Sequence, residues 1–297
     1  MANTLTNLQN TLISQVALEA FTAALTPLRA FSTNCSPKPG ERGDKIKVLW
    51  TQAASAAAAF AGTYTMQDST AEGLDVTIDQ HYFVSWNLTD KELVDRPQLE
   101  LERFGRQKGF QLAKVVLQNI WAQVTLANYG AAAFTGLSST FDADDVVDLG
   151  VTCDNADWPD NDRGLILSPS YHGALRKDDA IQGADKYGSA DSIRSGRIPS
   201  IDSFDALYKS SLVPANGENL VGFAVLPDSM LVAMRYLAPQ PGHDYFDAHP
   251  LTDSESGMTL GYRQWYDNAT GTMKIVLEAL WGKRVGNTAA LKRMVSA

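Results

Sequence analysis

The stretch DRPQLELERFGRQKGFQLAKVVLQNIWAQVTLANYGAAAF, Asp95 to Phe134, decides how the rest of the chain is read. Leu112, Val115, Val116, Ile120, Val124, Ala127 and Ala131 recur at steps of three and four, while Gln111, Lys114 and Gln118 fall on the opposite face. That spacing stacks the apolar groups in one stripe and predicts a single amphipathic helix. Pro97 suits a first turn, where its missing N–H costs nothing, and Asp95, Glu100 and Glu102 lie near the positive end of the dipole. At about 1.5 Å per residue the element reaches roughly 55 Å, so it either spans something or is a buried helix with an irregular first turn. Gly105 and Gly109 each cost about 1 kcal/mol relative to Ala inside a helix, which predicts a bend or a close backbone contact between Arg103 and Phe110.

Upstream, Leu5, Leu8, Leu12, Val16 and Ala20 mark an amphipathic arm that Pro27 closes. Pro37, Pro39, Gly40 and Gly43 give 34–44 a loop composition. Lys45 to Trp50 starts as an alternating strand, and a longer alternation runs from Leu74 through Tyr82, Val84 and Trp86. Between them the alanine-rich tip carries Phe60, Tyr64 and Met66 as its only large groups, and the whole reads as a hairpin. An isolated two-stranded ribbon is marginal in water, so a neighbouring subunit or the rest of the fold must cover it.

Downstream, Asp142 to Asp148 begins an acidic helix with its cap at Thr140 or Asp142. Leu165 to Leu167 is a strand feeding a helix opened by Ser168 and Pro169, and Gln182 to Ser203 is an extended excursion. Phe204 to Tyr208 and Leu220 to Val225 are strands, Pro227 to Tyr236 is a helix, and Pro239 to Gly257 is polar and turn-rich. Met258 to Tyr266 and Met273 to Leu280 form a closing hairpin around a turn at Asn268 to Gly271.

With 297 residues, 44% hydrophobic and 20% charged, the chain suits one or two soluble domains, and it has no apolar run near the length of a membrane span. Its start shows no basic segment followed by an apolar one, so a cytoplasmic origin is expected. Cys35 and Cys153 read as reduced thiols. A net charge of −9 argues against a sequence-reading nucleic-acid binder, while leaving open a container that holds nucleic acid without gripping it.

Motifs for chemistry are sparse. Neither a dinucleotide nor a phosphate-loop glycine pattern occurs, and no G-x-S-x-G offers a nucleophile, so no cofactor is expected. His243, Asp244, Asp247 and His249 form the one cluster of metal-ligand side chains, readable as a metal site or as a solvated loop. The aspartates from Asp154 to Asp162 lack the glycine and closing glutamate of a calcium loop and read as a solvated turn.

The order of parts (arm, long hairpin, spine-like helix, mixed α/β region, returning strand pair) resembles the major capsid proteins of tailed bacteriophages, the Hong Kong 97-like fold. Local wording agrees: Asp162 to Tyr171, Tyr187-Gly188, Ile193 to Asp205, and Gly261 to Asp267 with Leu280 to Gly282 resemble that family's A domain and closing hairpin. The resemblance implies an α+β chain with an N-terminal arm at 1–44, an E-loop hairpin at 45–86, a P domain with spine helix at 87–135, an A domain at 136–257, and a P-domain return at 258–297. It implies a non-enzymatic shell protein, assembled in the host cytoplasm and residing in the virion capsid. Its partners would be copies of itself in pentamers and hexamers, a separate scaffolding protein, a portal, and packaged double-stranded DNA held without sequence-specific contacts. Leu8, Leu12 and Val16 in the arm and Phe60, Tyr64 and Met66 at the hairpin tip are the expected subunit-interface anchors. No lysine lies between Val48 and Asp90, so the covalent cross-link of the namesake fold is not expected. An encapsulin-like compartment loading protein cargo, and a metal-dependent hydrolase built on the 243–249 loop, are the alternatives.

Overall fold

The computed structural model describes residues 5–48, 59, 60, 62, 63, 73–95, 98–182, 198, 200–239, 245 and 247–297, without the side chains of 5–13, 93–95, 98–101, 180 and 182. In chain order the elements are α1 (Leu5–Ala24), β1 (Ser32–Pro39), β2 (Lys45–Val48), β3 (Leu74–Thr89), α2 (Asp90–Asp95), α3 (Gln98–Trp121), α4 (Leu126–Tyr129), β4 (Ala132–Thr135), α5 (Ala143–Asp154) and β5 (Gly164–Leu167). They continue with α6 (Pro169–Leu175), α7 (Asp179–Gln182), β6 (Ala206–Lys209), β7 (Leu220–Val225), β8 (Met230–Tyr236), β9 (Asp247–Thr252), β10 (Thr259–Asp267), β11 (Thr272–Val285) and β12 (Leu291–Val295).

The expected helix ends early. Asn216 Nδ2 donates to the carbonyls of Trp121 (3.2 Å), which also accepts from the Val124 N–H, and of Val124 (2.8 Å), and so holds the turn that follows the helix. Two residues on, the Glu218 carboxylate accepts from the Leu126 N–H at 2.9 Å, and after Gly130 (φ 76°) the chain leaves as β4. The apolar spacing continues past Trp121, but side chains from a distant loop set the break. The close contact foreseen near Gly109 is present: a Cβ there would stand 2.2 Å from the Ala17 carbonyl oxygen, so the glycine lets the α1 and α3 backbones touch.

That contact corrects the arm. From Ser14 on, α1 turns Ser14, Ala17 and Phe21 inward, with Leu25 just past its end, one step away from the expected Val16 and Ala20 stripe. Ala17, Phe21 and Leu25 share one core with Leu112, Val116 and Ile120 of α3, so this half of the arm is covered by its own chain.

The larger sheet runs β1-β8-β11-β10-β9, with β3 also on β11 and β2 on β3. The ribbon of β2 and β3 is therefore rooted: β3 pairs with β11 from Thr89↔Thr272 to Ile78↔Gly282, and only Leu74–Thr77 pairs with β2. The stretch expected to be a loop at 34–44 is largely β1, parallel to β8. Its prolines are tolerated because β1 is the outermost strand in that order. The helix expected at 227–236 is instead a 3-10 turn followed by β8. All but one residue of β8 is buried between β1 and β11, and such a strand reads as an unbroken apolar run without a period of two.

The smaller sheet runs β4-β12-β7-β5-β6. Strand β12, unforeseen, carries the C-terminal segment out of the closing hairpin and inserts it between β4 and β7. Helix α5 starts where its sequence says, with Asp142 and Asp145 in a reciprocal capping box, and Ser168–Pro169 opens α6. Val146, Leu149, Leu165, Leu167, Tyr171 and Phe204 close a second core over this sheet. Most of the excursion expected at 182–203 lies outside the described residues.

Candidate assembly surface

The ribbon is fastened to the closing hairpin by a buried ionic group. Glu278 on β11 accepts from Arg263 Nε of β10 at 2.7 Å through one oxygen and meets His81 Nε2 of β3 at 3.1 Å through the other. Arg263 also donates to the Leu237 carbonyl at 3.1 Å, so both charges have partners, as buried charges require. At the sheet's other end, Lys283 donates to the Asn119 carbonyl in the last turn of α3, where a cation meets the negative end of the dipole. Burial holds the Lys283 ammonium below its usual pKa. The hairpin base thereby sits in fixed register on the sheet and on the long helix.

Of the expected anchors, Phe60 is 65% exposed and Val16 is half-buried. Leu8 and Leu12 lie within α1 with side chains outside the described set, and Tyr64 and Met66 are outside the described residues. Other apolar groups face solvent without having been singled out: Tyr82 and Phe83 on β3, Phe110 on α3, and Val147 and Val151 on α5. The signal for the last pair was available, since 147 and 151 share a face with Asp144 and Asp148 on a helix whose start was legible.

The acidic turn after α5 is tied down from beneath. Arg163, fully buried, donates to the Trp158 and Pro159 carbonyls (2.8 and 2.7 Å) and to Ser203 Oγ (2.8 Å), and pairs with Asp154 at 2.7 Å. Of the proposed metal cluster, His243 and Asp244 lie outside the described residues, while Asp247 and His249 stand on β9 and bond each other at 2.9 Å. Among the described residues no group of three or more His, Cys, Asp or Glu is gathered as a metal would need. Burial pushes the Cys35 and Cys153 thiols up to about 11, which leaves them protonated and weakly nucleophilic at neutral pH.

These features define a mixed α and β chain whose distinctive groups are an anchored ribbon and outward helix faces. Solved structures with the same architecture include phage capsids. The chain is similar to the capsid of cyanophage P-SCSP1u (TM-score 0.59, 13% identity, 90% of this chain and 86% of that one). It is similar to the mature capsid of bacteriophage PhiM1 (0.57, 13%, 91% and 86%) and to the capsid of an empty GTA particle (0.54, 16%, 92% and 90%). No protein-family model matches the chain, and no curated protein does. At these identities the likeness establishes the fold: it is that of phage capsid proteins.

Proposed function

We propose that the chain is a Hong Kong 97-like major capsid protein, which assembles from pentamers and hexamers of itself into an icosahedral shell around double-stranded phage DNA. The observation that carries the reading is the shared fold over about nine-tenths of this chain and of the capsid chains it resembles. The role is structural, with no catalytic step. Closed shells arise when one patch meets another through a fixed rotation, and contacts of this kind commonly bury about 2,000 Å² or more. In this reading the arm is 1–44, the E-loop 45–86, the P domain 87–135 with its return at 258–297, and the A domain 136–257. Leu8, Leu12, Val16, Phe60, Tyr64 and Met66 are its contact anchors, and a scaffolding protein, a portal and DNA are its other partners.

Deleting Ala53 to Thr70 tests the role of the ribbon tip. The expected product is a folded, soluble chain that no longer forms particles; particles of normal size from it overturn that role. The contents of purified particles also test the reading: enclosed DNA supports it, and an enclosed protein in place of DNA supports the encapsulin-like alternative.

A further inference from the structure

Helix α3 presents to solvent a face of Arg103, Arg106, Gln107, Phe110, Gln111 and Lys114, all exposed. Helix α5 presents Asp144, Val147, Asp148 and Val151, also exposed. Both sets follow steps of three and four and so form continuous stripes. Among the described residues, the side chains of Arg103, Arg106, Lys114, Asp144 and Asp148 make no ion pair or hydrogen bond, although the chain carries many charges of both signs. Each stripe mixes its charge with large apolar groups: Phe110 is 50% exposed, Val147 42% and Val151 49%. A surface that only neutralised phosphates would have no use for a half-exposed phenylalanine among its cations. A protein interface would, since an apolar centre flanked by complementary charge supplies both affinity and register.

We infer that the basic face of α3 in one copy docks against the acidic face of α5 in the next, a head-to-tail contact between copies of this chain. Because the two faces are different patches, the contact is heterologous and propagates into a ring when its rotation closes. The inference rests on the shell reading and assigns part of its subunit contact to particular residues.

Charge reversal tests it. Arg106→Glu with Lys114→Glu on α3, and Asp144→Lys with Asp148→Lys on α5, change exposed side chains, and melting curves check that each variant folds. Each pair of reversals is expected to lower particle yield by about tenfold or more, and the combined variant to regain most of it, because opposite charges again face each other. Unaltered yield from either pair overturns the inference while leaving the shell reading intact. So does a combined variant that stays defective while the α3 reversal alone sheds bound nucleic acid, an outcome that assigns the basic face to DNA. Should the wild-type chain form no particles, a chain with Phe110→Cys mixed with one carrying Val151→Cys, both under mild oxidation at low salt, still reads the contact. A disulfide between the two chains that outpaces either chain with itself supports the docking, and its absence refutes it.

Discussion

Gly109 has no side chain, and the α1 backbone fills the space where one would stand. Gly109→Ala must part the two helices, at an expected cost of about 1–3 kcal/mol for an overpacked contact. Urea unfolding reads this as a lower midpoint at unchanged slope; an unchanged midpoint means α1 is not clamped. At Glu278, removing Arg263 leaves a buried carboxylate with His81 as its one side-chain hydrogen-bond partner among the described residues. Arg263→Leu is expected to cost about 3–5 kcal/mol, and adding Glu278→Leu to recover most of the loss, since a buried pair is harmed more by halving than by replacement. A double variant no more stable than the single one contradicts this. His172 gives stability a pH dependence. Burial, then the Lys209 and Arg176 cations, hold its imidazole below the usual value of 6.5. As pH falls through 6.5 the unfolded chain binds a proton that the folded chain refuses, so this contribution is complete above 6.5 and is lost toward acid. His172→Gln is expected to flatten the stability profile on the acid side, and an unchanged slope contradicts the assignment. At this scale the sequence shows what acts over a few residues: the Asp142 cap and the Ser168–Pro169 start were legible because their partners are three residues away. The ties from Asn216 to Trp121, from Arg263 to Glu278 and from Arg163 to Ser203 cross 40 residues or join separate elements, and no local pattern announces them.

At the scale of elements, the end of α3 is decided by tertiary contacts. Asn216→Ala removes the bonds to the Trp121 and Val124 carbonyls, of which the first keeps the Val124 N–H, and is expected to cost about 1–3 kcal/mol for the acceptor left without a partner at Val124. Hydrogen exchange should quicken around Gln123–Tyr129 first; protection equal to wild type there places the break elsewhere. The same competition explains the other misreadings. Met230–Tyr236 is apolar at nearly every position, which fits a buried helix or a buried strand equally, and only the flanking strands decide. Ser32–Pro39 has loop composition yet forms β1, because an outer strand needs hydrogen bonds on one side alone. In α1 the sequence offers two overlapping stripes, and the one ending in Phe21 and Leu25 is buried because it faces the glycine on α3. The closing hairpin was legible because its alternation, turn and length all agree.

For the whole molecule, the order of elements carried more than any motif, and it led to the capsid fold although each local match is weak and identity to the solved capsids is 13–16%. The candidate interface was only partly legible. The ribbon was seen, but its base and the later half of the arm proved to be covered by their own chain, while the outward faces of α3 and α5 were passed over because charged helix faces are usually just solvated. The most direct test of the account is particle formation by the purified full-length chain, followed by sedimentation velocity and negative-stain microscopy as protein concentration and a polyethylene glycol crowder are raised. Closed particles of uniform diameter, sedimenting far ahead of the 32.2 kDa chain, are the predicted result. A single slow species at every concentration, with empty grids, would contradict it.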